Sequence, residues 1–127
     1  MKRLNPETIA APISLYSHGI EVPPSARWLH ISGQVGMTQD GKIVVGIEAQ
    51  SEVAWQNLNA ILASAEMGVE DLVKMTVFLV DAAHIPAYGA VRARAIGEAR
   101  PASTLLIVTA LASPDFLVEI EATAAKT

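Results

Sequence analysis

The chain has 127 residues, of which 51% belong to the set AVILMFWYC and only 17% are charged; that length fits one domain spanning 1–127, and the balance excludes an intrinsically disordered chain. The net charge is −4, with Lys and Arg scattered singly, and no 18-residue apolar run occurs, so neither a nucleic-acid footprint nor a membrane-spanning helix is expected. Cysteine is absent, which excludes disulfides, thiolate nucleophiles and Cys-ligated zinc.

The start, Met1 to Glu7, is basic but lacks the long apolar stretch of a signal peptide, so the cytoplasm is the expected location. The segment up to about Ser25 is rich in Pro and Ser and holds only short extended pieces. One lies within Leu15 to Val22 and ends at Pro23-Pro24, which can continue neither a ladder nor a helix. Arg27 to Val35 alternates Trp28, His30 and Ser32 against Leu29, Ile31 and Gly33, the period of a strand. Gln39 to Lys42 reads as a turn through Gly41, and Ile43 to Val45 as a short additional strand.

From about Glu48 the period changes. Ala54, Leu58, Ile61, Leu62 and Ala65 recur at helical spacing, and Gly68 reads as the stop. Val73 to Val80 is β-branched and apolar on both faces, which predicts a central strand buried on two sides. A second helix is expected from about Ile85 to Ala99, with Pro86 in its first turn. Ser103 to Ala110 and Phe116 to Ala124 follow as strands joined by a turn around Ala112 to Asp115. The order predicts an α+β fold with both helices on one face of a mixed sheet. So few charges leave apolar surface that another subunit is expected to cover.

On the last strand Phe116, Val118, Ile120, Ala122 and Ala124 point one way, and Leu117, Glu119, Glu121 and Thr123 the other. Two carboxylates therefore stand about 7 Å apart on the face away from the core. That face is either solvated or a covered cleft in which Glu119 serves as a general acid or base. Tyr16 and His18 share a face of their extended piece. His30 reads as a satisfied strand histidine and His84 as an exposed one; with His18 they have no ligand spacing, so no metal is expected. Ser32-Gly33-Gln34 lacks the frame of a nucleophile elbow, and its Gly allows either a bulge or a close approach. Arg92 and Arg94, two apart, diverge around the second helix and, with Arg100, read as surface charges.

In order along the chain, Ala11-Pro12 with Leu15-Tyr16-Ser17, Ile31-Ser32-Gly33-Gln34-Val35, Gln56 to Leu62, Val73 to Asp81, Pro101-Ala102-Ser103-Thr104 and Val118-Glu119-Ile120-Glu121-Ala122 resemble the motifs of the Rid family, also described as endoribonuclease L-PSP. The resemblance implies a chorismate-mutase-like α+β fold assembling as a homotrimeric barrel, with clefts between subunits. It also implies hydrolysis of reactive enamines and imines, small metabolites, without a metal or organic cofactor. Carried over, Glu119 positions or activates water, Tyr16 lines the cleft, and Gly33 with Ser32 forms its wall.

The family's carboxylate-binding Arg, however, falls on Ser103. The resemblance then implies poor hydrolysis of common 2-iminoacids, since a charge-assisted hydrogen bond to a carboxylate is worth roughly 1.5–3 kcal/mol. Ser103 and Thr104 are left to bind a polar group, and Arg92 to offer charge from another direction. A trimer that binds a small molecule without turnover is the alternative. A ribonuclease is disfavoured by the acidic chain.

Overall fold

In a computed structural model describing residues 1–127, a four-stranded sheet carries two helices on one face. The strands are β3 (Arg27–Val35), β4 (Leu72–Leu79), β5 (Ala102–Ile107) and β6 (Val118–Lys126), and the helices are α1 (Ile47–Ser64) and α2 (Ile85–Ile96). The sheet order is β3-β6-β4-β5; β4 and β5 are parallel, joined through α2, and the other pairs are antiparallel. A separate two-stranded ribbon pairs β1 (Lys2–Leu4) with β2 (Gly19–Glu21). The mixed sheet with helices on one side is the architecture expected from the order of periodicities.

The core lies between this sheet and the helices. Leu58 and Leu62 from α1, Tyr88 and Ile96 from α2, Met75, Val77 and Leu79 from β4, and Val118 and Ile120 from β6 are all almost fully buried. The alternation expected for the last strand holds: its even-numbered apolar residues face the helices, and Glu119 and Glu121 face away.

Several boundaries differ from expectation, each for a local reason. Ile43 to Val45 forms no strand, only an isolated bridge from Ile43 to Met37. This loop is fixed instead by the buried Gln50 side chain, whose amide donates to Val44 O (3.0 Å) and Asp115 O (2.9 Å) while its Oε1 accepts from Leu117 N (2.8 Å). Helix α1 ends before Gly68. Glu66 takes the left-handed turn (φ 58°), with Met67 N donating to Leu62 O and Glu66 N to Ala63 O, because this closure swings Met67 into the core. Helix α2 stops at Ile96, where Gly97 (φ 55°) breaks it. Strand β4 is central but buried on one side only: Lys74, Thr76 and Phe78 are half-exposed on the face opposite the helices. Strand β5 spans a shorter stretch than Ser103 to Ala110, and β6 starts two residues later than Phe116.

Gln50 satisfies three backbone groups from two loops at once. Gln50→Ala strips their partners, and urea denaturation should show a loss of about 2–4 kcal/mol with an unchanged m-value.

Candidate functional site

The sheet divides the candidate residues between its two faces. On the open face, β3 carries a bulge between Ile31 and Gln34, so Ser32 and Gly33 sit where its register against β6 shifts. Gly33 lies directly against Glu119: a Cβ built there falls 2.6 Å from the Glu119 carboxyl carbon. A side chain at position 33 would push the half-buried carboxylate out of this seat. Ser32, exposed, borders a shallow hollow of about 270 Å³ with His30, Lys74, Thr76, Glu121 and Thr123. Thr104 is exposed near this face and accepts a hydrogen bond from Lys74 Nζ (2.7 Å).

On the helix side a larger cavity of about 400 Å³ opens beside β5. Tyr16, Ser103, Arg92, Tyr88, Ile13 and Ile85 line it. Tyr16 reaches it because its neighbour Ser17 is anchored: Ser17 N donates to Pro101 O (3.1 Å) and its hydroxyl to Arg100 O (2.6 Å). The Tyr16 ring meets His18 edge-on at 5.8 Å, so these two do share a face, and the phenol oxygen accepts from Ile13 N (3.4 Å).

Arg92 corrects the expectation of a surface charge. It is 9% exposed, whereas Arg94 lies outside and pairs with Glu52 (3.3 Å) and Glu48 (3.9 Å). Arg92 Nη2 and the Tyr88 hydroxyl are both buried without a hydrogen-bond partner. Burial pushes the Arg92 pKa down, and the nearby Arg100 charge adds to this, while Tyr88 opposes it. Burial likewise pushes the Tyr88 phenol up to about 12, against the pull of Arg92 and of the Trp55 indole N–H, which lies near the hydroxyl without closing a well-aligned hydrogen bond and leaves the phenol O–H free to donate. Tyr88 was not singled out from the sequence, although its spacing of four from Arg92 puts both on one stripe of α2.

The histidines stand apart. His18 Nε2 bonds Ala10 O (2.7 Å), His30 is exposed and stacks on Trp28, and His84 is half-buried rather than exposed. No three His, Asp or Glu side chains converge.

Register fixes the distance between the two groups of residues. Phe78 pairs with both Glu119 and Leu106, and Ser103 pairs with Met75. Glu119 and Ser103 are therefore two strands and three residues apart, about 14 Å at the backbone, with side chains on opposite faces. Within one protomer no small metabolite touches both.

The family model described as endoribonuclease L-PSP matches residues 7–126. The chain belongs to the Rid family. Among its relatives, a RutC family protein of Pyrococcus horikoshii is 35% identical over 122 residues, covering 94% of each chain. A RutC family protein of Drosophila melanogaster is 32% identical over 94% of this chain and 86% of its own. A Rid-family structure from Yersinia pestis superposes with a TM-score of 0.87 at 34% identity, covering 98% of both chains. RidA from an Antarctic Psychrobacter gives 0.73 at 27%, again covering 98% of both. Membership in the Rid family, expected from six ordered motifs, is thus shown, and the helix-on-sheet fold is common to these structures.

The raised phenol has a measurable consequence. A folded-state pKa above the unfolded value contributes stability that is present in full below pH 10 and lost as pH rises to about 12. Two units correspond to about 2.7 kcal/mol. Stability measured across this range should fall less steeply in Tyr88→Phe than in the wild type.

Proposed function

We propose that this Rid-family chain hydrolyses a reactive enamine or imine, a small metabolite, in a cleft completed by two copies of itself within a homotrimer. The observation that carries the reading is the seat of Glu119: a half-buried carboxylate against Gly33, on a face that holds the acid–base group but none of Tyr16, Ser103 and Arg92. A neighbouring copy that brings its β5 side to this face supplies the missing half. Apolar surface supports such an assembly, since Trp28 and Leu105 to Ile107 are exposed and β5 is an edge strand.

The chemistry needs only water and a proton carrier. Glu119 accepts a proton as water oxygen bonds to the C=N carbon, and returns it to nitrogen. The carbinolamine then gives its hydroxyl proton to Glu119, which passes a proton to nitrogen as the C–N bond breaks, so that a carbonyl and ammonia leave; an enamine first takes a proton at its β-carbon to become the imine. Ser103 alone offers a hydroxyl where the family has a guanidinium, since Thr104 turns to the other face of the sheet beside Lys74, so common 2-iminoacids are held more weakly at their carboxylate than in relatives with that Arg. No metal or cofactor enters this scheme.

Three outcomes are expected. With 2-iminopropionate generated in situ, ammonia release should be at least tenfold slower than for a relative bearing Arg at the Ser103 position; equal rates would remove any role for this substitution. Glu119→Gln should lose at least a hundredfold of whatever turnover a panel of imines reveals. Co-refolding inactive Glu119→Gln with inactive Tyr16→Ala should recover about a quarter of wild-type activity by random assortment of subunits. No recovery would place the whole site in one protomer and defeat the proposal.

The guanidinium missing at 103 favours one other reading, a trimer that holds its ligand without turnover. Its mark is a ligand-induced rise in Tm that Glu119→Ala abolishes, with no ammonia released from any imine in the panel.

A further inference from the structure

The cavity beside β5 holds an imbalance that the fold itself does not correct. Arg92 is 9% exposed, its Nη2 has no hydrogen-bond partner, and the Tyr88 hydroxyl next along the same helix stripe has none either. The cavity has no acidic lining residue. The other charged side chain that acts on Arg92 is a second cation, Arg100, itself turned to Gly97 O and Ala99 O at 2.7 Å. Removing one partner of a buried ion pair is among the costlier changes a protein can suffer, and a buried guanidinium without a counter-charge is in that same unfavourable state. The planar guanidinium fork matches a carboxylate or phosphate in two parallel hydrogen bonds, so an anion from outside would complete it.

We infer that Arg92 and Tyr88 together bind the carboxylate of a small ligand, so that anion recognition in this chain comes from α2 rather than from β5. The guanidinium presents paired N–H donors to the two carboxylate oxygens, and the phenol O–H adds a third donor. Ser103, on the facing wall, leaves the cavity open where a longer side chain would fill it, and Ile13 and Ile85 give an apolar wall for a short hydrocarbon body. A space of about 400 Å³ suits a metabolite of modest size. The inference deepens the proposed function by naming a carboxylate as the substrate's anionic end. It also separates from it, because this cavity lies within one protomer and Glu119 is on the opposite face of the sheet.

Calorimetry with butanoate and with uncharged butanamide tests it on the full chain. Butanoate should bind at least tenfold more tightly than butanamide, and Arg92→Gln should erase that difference. Tyr88→Phe should weaken butanoate alone, by about threefold to tenfold, and serves if Arg92→Gln does not fold. Glu119→Gln should bind butanoate as the wild type does while losing imine turnover, so failed hydrolysis and failed anion binding give different results. Equal affinity for the acid and the amide, or butanoate binding unchanged in both α2 variants, overturns the inference.

Discussion

Side-chain alternation along a strand is the constraint from which the arrangement of this molecule follows. Helices cover one face of the β3-β6-β4-β5 sheet, so each strand must send its apolar residues to that side and whatever remains to the other. On β6 this puts Val118, Ile120 and Ala122 in the core and Glu119 outside it, with no freedom to choose. A slip of one residue would bury Glu119 and Glu121 and expose the core set, so the register that makes the fold also fixes where Glu119 stands. The bulge at Ser32-Gly33 adapts β3 to that fixed point, letting the carboxylate lie against backbone in a seat that a side chain at position 33 would take from it.

The second face obeys a different balance. Helix α2 packs against α1 through Tyr88 and Ile96, and the same helical stripe carries Arg92 inward. An apolar residue of similar length there would have spared the chain the desolvation of a charge, and Arg94, two positions on, shows how easily a guanidinium on this helix finds carboxylates outside. The inward arginine carries a desolvation cost that no acidic side chain of this fold offsets. Under the proposed function, proton handling would fall to the open sheet surface and charge recognition to the helix side, with the sheet's thickness between them.

Much of this was legible in the residues, and the failures share a cause. Periodicity of two and of 3.6 located α1, α2, β3, β4 and β6 to within a few residues, because the pattern of burial along each is strong. Ordered motifs from Ala11 to Ala122 pointed to the family that the comparisons show. Ile43 to Val45 has the β-branched composition of a strand, whereas Gln50 fixes that loop through side-chain hydrogen bonds invisible to local pattern. The left-handed Glu66 went unforeseen because the burial of Met67, a tertiary effect, overrides the preference for Gly there. Arg92 looked like a surface charge when compared with Arg94; the comparison that mattered was with Tyr88, four residues earlier on the buried stripe. Whether β4 has one covered face or two depends on neighbours beyond the protomer, which no strand pattern encodes.

The anchorage of Ser17 also bears on how the protein comes into being. Its backbone and hydroxyl are tied to Pro101 and Arg100, so the Tyr16 wall of the cavity is held in place by residues that leave the ribosome long after it. During synthesis the early segment has no surface to settle on until α2 and the start of β5 have emerged. The Tyr16 wall therefore stays unfastened until residues 100 and 101 are made, and the part of the cavity earliest in sequence is among the last to be fixed in space.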